Sequence, residues 1–167
     1  MKQECDRCNL EFSCTAFCKW SAEIIAPYVK SFKIGSLEVP DMDFIKNVAA
    51  YGKPLILSCG KVTYEQLDRI FDVVDNEIIL LYCVVKYPCS PDEVDLSEMD
   101  RLRKRYHCKV GFSDHTKSIS KAIEAADKGA YLIEKHFMLE DGNAIDAAVS
   151  LTPSDFLKMT RRIKGNG

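Results

Sequence analysis

Short apolar runs alternate with amphipathic stretches from Glu11 to Lys164 without a break, a linker or a low-complexity segment. No other feature constrains the fold of this chain so strongly. The runs Glu11–Phe17, Ser31–Ser36, Lys53–Cys59, Glu77–Val84, Lys109–Ser113 and Tyr131–Phe137 read as strands. Between and after them, Lys19–Tyr28, Asp41–Tyr51, a segment opening at Thr63, Asp95–Tyr106, Ser118–Lys128 and a segment from Thr152 to Lys164 read as helices. The helix starts carry cap signals. Asp41 is a candidate N-cap, Thr63 and Gln66 form a capping box, and Thr152 precedes a proline at the first helical position. The Glu77–Val84 run is almost continuously apolar, as suits a parallel strand covered on both faces. Six βα units in series imply a parallel sheet with crossover helices. The spacing is regular: 25 residues separate Lys33 from Ser58, and 25 separate Ser58 from Cys83. An open doubly wound sheet would usually show a glycine-rich dinucleotide turn near its start, and none is present. A (β/α)8 barrel accounts better for the positions of the polar residues.

A chain of 167 residues with 47% hydrophobic and 29% charged residues is long enough for one ordinary globular core. Its net charge of −2 and isoelectric point near 5.9 lack the basic excess of a nucleic-acid-binding protein. The longest apolar run, Ile78 to Val85, covers 8 residues, where a spanning helix needs about 20. The charged opening residues show no export signal, so a cytoplasmic location is expected. Eight cysteines include Cys5, Cys8, Cys14 and Cys18, whose spacing invites a four-thiolate zinc site. The simpler reading is preferred: no knuckle glycines follow the first pair, and Cys14 lies in a strand-like run. Cys59 and Cys83, in apolar runs, read as small buried hydrophobes, and disulfides are not expected in a reducing compartment.

Hydroxyl, charged and imidazole side chains gather at the strand ends. Thr15 lies near the end of the first strand. Lys33, Ser36 and Glu38 end the second, Ser58 the third, and Tyr87 follows the fourth. Ser113, Asp114 and His115 end the fifth, and Glu134, Lys135 and His136 the sixth. In a barrel these ends converge on the mouth that holds the active site. Taken singly, Ser58 and Ser113 are as well explained by local backbone hydrogen bonds, and Glu38 by solvation in a loop. Lys33 is harder to dismiss, because an ammonium inside an apolar strand needs an anionic partner or a polar cavity. His107 follows RLRKRY and reads as a solvated cation at a helix C-terminus. His115 and His136 end consecutive strands. Two neutral imidazoles with open positions suit a divalent metal that also holds substrate; two hydrogen-bonded histidines at the barrel mouth are the plainer alternative.

The segments FSCTAF (12–17), FKIGSLEV (32–39), GKPLILSCG (52–60), LLYCVVKYP (80–88), GFSDHT (111–116), IEKHF (133–137) and DAAVSLTPSDF (146–156), in this order and spacing, resemble the sialic acid synthase family. That family comprises N-acetylneuraminate synthase and relatives that make other nonulosonic acids. The resemblance implies a (β/α)8 TIM barrel in which phosphoenolpyruvate condenses with an N-acyl aldose such as N-acetylmannosamine and phosphate is released. It implies a divalent metal, Mn2+ or Mg2+, on His115 and His136. Ser36, Ser58 and Ser113 would line a phosphate pocket with Lys33 as charge partner, and Thr15 would hold the carboxylate end. Glu38 would be the acid/base carboxylate, and Tyr87 and Asp146 would face the sugar. The sequence departs from the family pattern at Val85, at Ala147 and in the shortened Leu-Glu-Asp-Gly-Asn-Ala-Ile segment before Asp146, so an altered sugar pocket is expected.

Against a whole barrel of about 250 residues, the alignment implied by the resemblance gives residues 1–167 about six βα units, strands 3 to 8. An incomplete barrel domain without the family's C-terminal antifreeze-like domain is therefore expected. Free sheet edges at the first and last strands are an association hazard. Homo-oligomerisation, or assembly with a polypeptide supplying the missing strands, is therefore expected, and little synthase activity from the chain alone. A non-catalytic fragment or barrel-completing partner that binds a phosphorylated ligand is the alternative function. No nucleic acid or membrane partner is expected.

Overall fold

The computed structural model describes residues 1–139 and 145–165. Its elements run α1 (Lys2–Arg7), β1 (Thr15–Ala16), α2 (Lys19–Ile25), β2 (Phe32–Ile34), α3 (Met42–Ala49), β3 (Leu55–Ser58), α4 (Tyr64–Phe71) and β4 (Ile78–Cys83). After a 3-10 turn at Pro91–Glu93 come α5 (Ser97–Tyr106), β5 (Lys109–Asp114), α6 (Ser120–Asp127), β6 (Ile133–Lys135) and α7 (Pro153–Ile163). The strands are hydrogen-bonded in chain order, β1-β2-β3-β4-β5-β6. The chain divides into two compact units, Met1–Leu80 and Leu81 onward.

In the first unit the parallel register pairs Thr15 with Lys33 and Lys33 with Ile56. Alternation along a strand then puts Phe32, Ile34, Leu55 and Leu57 on one face, all fully buried. Thr15, Lys33, Ile56 and Ser58 fall on the other. The helices bury apolar residues at helical spacing: Phe44, Ile45 and Val48 on α3, Leu67 and Ile70 on α4. The expected caps are present. Asp41 accepts from the Phe44 amide at 3.0 Å. Thr63 accepts from the Gln66 amide at 3.2 Å while Gln66 accepts from the Thr63 amide at 2.9 Å. Lys53 Nζ donates to the carbonyls of Ala26 and Val29 at 2.5 and 2.6 Å, tying the chain after α2 to the entrance of β3.

In the second unit β5 and β6 are parallel, with Phe112 opposite Ile133, Ser113 opposite Glu134 and Asp114 opposite Lys135. α5 ends at His107, an exposed residue in the left-handed region (φ 49°). Beyond β6 a parallel bridge joins Phe137 to Leu151, with the Leu151 amide donating to His136 O at 2.9 Å and the Met138 amide to Leu151 O at 3.0 Å. Leu151 belongs to a core with Ala122 and Met159, against which Ile119, Ile133, Phe156 and Ile163 pack. Thr152 caps α7, with Pro153 at its first position.

The structure departs from the sequence-based expectation mostly at element ends. The strand expected over Glu11–Phe17 contracts to Thr15–Ala16, and that over Tyr131–Phe137 to Ile133–Lys135. Apolar alternation reports burial, whereas a strand also needs a hydrogen-bonded neighbour, and the runs extend past their paired residues. α1 was not expected. Its sequence, KQECDR, has no apolar stripe, and its ordering rests on side-chain pairs one turn apart, Lys2 with Asp6 at 2.5 Å and Arg7 with Glu4 at 2.5 Å. Cys5 therefore lies on a helix and Cys8 caps it. The shortened segment before Asp146 runs over 139–145, and its residues 140–144 lie outside the described residues. No helix among the described residues is long and apolar enough to cross a membrane.

Candidate active site

The second unit brings its polar strand ends together. His115, one residue past β5, is buried, and its Nδ1 lies 2.7 Å from the carbonyl oxygen of Val84. A carbonyl only accepts, so Nδ1 carries the proton and Nε2 presents a lone pair. Burial pushes the His115 imidazolium below the usual histidine range, which favours the neutral ring. The Tyr87 hydroxyl is 3.2 Å from Nε2 and can donate to it, and the Tyr87 and His115 rings lie 4.2 Å apart between centroids. Desolvation, with nearby anionic groups adding to it, keeps the Tyr87 phenol protonated above its usual range.

Ser113 and Glu134 face each other across β5 and β6. The Ser113 hydroxyl donates to Glu134 Oε1 at 2.7 Å, so its 3.3 Å approach to His115 Nε2 sets one lone pair near another. Two residues on from Glu134, and so on the same face, His136 sits with its ring centroid 5.7 Å from that of His115 and 5.8 Å from that of Tyr87. Its Nδ1 faces Asp146 Oδ2 at 3.6 Å. Five of the expected residues, Tyr87, Ser113, His115, His136 and Asp146, thus form one cluster. Sequence reasoning placed Glu134 among the strand-end residues but gave it no role; its two-residue offset from His136 is the signal that puts it on the site face.

A lone pair on a buried neutral imidazole, facing a second imidazole, is a donor set that fits a divalent cation completed by water or substrate oxygens. Among the described residues no group of three or more His, Cys, Asp or Glu side chains is arranged to hold one ion. A divalent ion placed here would be held by the histidine pair, each with its Nδ1 turned toward an outer oxygen, Val84 O for His115 and Asp146 Oδ2 for His136.

The first unit gathers a second set. Lys33 and Ser58 are buried, 9% and 5% exposed, on the face they share with Thr15. Ser36, just past β2, accepts from the Gly60 amide at 3.1 Å, which joins the loops after β2 and β3. Glu38 folds back so that a Cβ at Gly35 would stand 2.5 Å from its Oε2; glycine is what lets the carboxylate lie over the end of β2. This unit therefore holds a buried ammonium, two hydroxyls and a carboxylate close together in the chain at successive strand ends, and Thr15 adds a third hydroxyl on the same sheet face.

The NeuB family matches this chain over residues 1–166, and the chain belongs to that family. It is 31% identical to an N,N'-diacetyllegionaminic acid synthase of Campylobacter jejuni over 166 residues, covering 95% of this chain and 50% of that protein. It is 37% identical to a pseudaminic acid synthase of Helicobacter pylori over 138 residues, covering 80% of this chain and 41% of that protein. Among solved structures, an N-acetylneuraminic acid synthetase from Leptospira borgpetersenii superposes with a TM-score of 0.93 at 27% identity, over 99% of this chain and 60% of that one. The chain spans about half the length of the relatives it matches, and its fold is that of an incomplete (β/α)8 barrel.

Proposed function

We propose that these residues supply the metal-binding and phosphoenolpyruvate-binding part of a nonulosonic acid synthase, which joins phosphoenolpyruvate to an N-acyl aldose such as N-acetylmannosamine and releases phosphate. The observation that carries this reading is the His115–His136 pair beside the Ser113–Glu134 contact, with the His115 tautomer held by Val84. In this reading His115 and His136 hold Mn2+ or Mg2+, which when bound polarises the sugar carbonyl as a Lewis acid. Lys33 sets a fixed cation against the phosphate, Ser36 and Ser58 offer it hydroxyl donors, and Ser113 turns its hydroxyl proton from Glu134 to the phosphate when the ligand binds. Thr15 holds the carboxylate end of phosphoenolpyruvate. The C3 carbon of phosphoenolpyruvate forms the new bond to the aldehyde carbon. Water then adds at C2, and the C2–O bond breaks with its electron pair leaving on phosphate. Glu38 takes a proton from the added water, the former aldehyde oxygen gains one to become the new hydroxyl, and Tyr87 and Asp146 orient the sugar hydroxyls. The chain acts as an enzyme of the transferase type within its completed barrel, in the cytoplasm.

Titration with phosphoenolpyruvate in the presence of Mn2+ tests this. The protein is expected to bind one equivalent, and Lys33→Ala to weaken binding by about 1.5–3 kcal/mol, the worth of a charged hydrogen bond. Saturable binding that Lys33→Ala leaves unchanged would remove Lys33 as the phosphate's partner, and no binding at all would overturn the reading.

A further inference from the structure

Behind the two histidines, on the opposite face of the same strands, lies a fully buried ion pair. Asp114 Oδ2 is 3.0 Å from Lys135 Nζ, and neither side chain has exposed surface. The two residues are opposite each other in the β5–β6 register. Each immediately precedes one of the histidines. The pair also reaches into the chain beyond β5. Asp114 Oδ1 accepts from the Thr116 amide at 2.8 Å, and Lys135 Nζ donates to the carbonyls of Thr116 and, at 3.2 Å, Ser118. His115 is thus bracketed by two anchored residues, while the strand carrying His136 supplies the anchoring ammonium.

A buried ion pair is weak evidence for stability, because desolvation offsets most of its attraction; its best-attested use is to fix a register. Here a slip between β5 and β6 would part Asp114 from Lys135 in a dry interior and would also separate the two imidazoles. Apolar neighbours on the same face would tolerate small shifts that this pair does not.

We infer that Asp114 and Lys135 are positioning residues: a cross-strand clamp that sets the spacing of His115 and His136 for a shared divalent ion. The inference rests on the proposed metal-binding role of those histidines. The pair touches neither the ion nor the substrate. It acts through the backbone at 114–116 and 135–136.

The test is the double variant D114N/K135M, which removes the buried charges yet leaves an acceptor for the Thr116 amide, with D114N alone as a milder second variant. Two readouts are taken: Mn2+ affinity from the spin resonance of the free ion, and the His115 tautomer in the metal-free protein from long-range 1H–15N spectra. The parent is expected to show a single Nδ1-protonated His115. The double variant is expected to show mixed tautomers and Mn2+ binding weakened about ten- to hundredfold, as for other groups that orient metal ligands, with a cooperative melt retained. D114N should fall between them. If both variants keep the parental tautomer and affinity, the clamp is refuted while the metal reading stands. If the parent itself binds no Mn2+, the metal reading fails, and the clamp goes with it. Should the double variant not fold, an unchanged tautomer and affinity in D114N refutes the clamp.

Discussion

At Gly111 the space beside β5 admits no side chain: a Cβ there would strike the carbonyl oxygen of Leu132 and stand 2.8 Å from Leu81 Cδ2. The first neighbour is backbone immediately before β6 and cannot yield without moving that strand. Gly111→Ala should therefore destabilise the protein by about 1–3 kcal/mol, the usual cost of overpacking, read as a lower denaturant midpoint. Gly35 contrasts with it. What a methyl would meet is the far end of the Glu38 side chain, which can swing away. Gly35→Ala should leave the midpoint within about 0.5 kcal/mol of the parent while displacing the carboxylate assigned to proton transfer. A midpoint shift as large as that of Gly111→Ala would show that Glu38 is held more rigidly than this. Single residues were unevenly legible in the sequence. Lys33 stood out because a charge inside an apolar strand has few explanations, and it is buried. The Val84 carbonyl that fixes the His115 tautomer left no trace, because any residue type offers the same carbonyl.

The first turn of α5 is organised by Asp95. Its carboxylate accepts from the Ser97 amide at 3.0 Å and hydroxyl at 2.6 Å, and Arg101 one turn on donates to it at 2.7 Å. The Ser97 hydroxyl first, and then the Arg101 guanidinium, lower its pKa from 3.8 to about 2. A folded-state pKa below the unfolded one means that the contribution is fully present above pH 3.8 and is lost as the pH falls through 2. Carboxyl-detected NMR should place the Asp95 midpoint near 2, and Arg101→Ala should move it up; a midpoint at the ordinary aspartate value would show that the contacts do not persist in solution. At the N-terminus of α4, Thr63→Ala removes an acceptor from a reciprocal cap and should cost about 1 kcal/mol. Helix starts of this kind were readable in sequence because capping needs particular side chains at fixed offsets, as Thr63–Gln66 and Thr152–Pro153 show. Strand ends were not, because pairing at Thr15–Ala16 or Ile133–Lys135 depends on the neighbouring strand rather than on the run itself.

For the molecule as a whole, β1 and β6 end the strand order, and Phe17, Trp20, Phe137 and Leu139 near them are more than half exposed. A polypeptide of these 167 residues, 18.9 kDa, should elute from gel filtration as an assembly larger than a monomer; a monodisperse monomer would contradict this. The order of the βα units was legible because strands alternate with helices and no dinucleotide turn marks a doubly wound sheet, in which sheet order would depart from chain order. The site was legible only in part. In the second unit, Ser113, His115 and His136 stood out as candidates at strand ends. Which of them meet, as Ser113 meets Glu134 and Tyr87 meets His115, depends on a register that a single sequence does not specify. The proposed function requires His115 and His136 to form one divalent-metal site. Its most direct measurement is a Mn2+ titration of the parent, His115→Ala and His136→Ala, followed by spin resonance of the free ion. One ion per chain is expected in the parent, with a loss of about tenfold or more in affinity for each variant. Superimposable isotherms for all three proteins would contradict it.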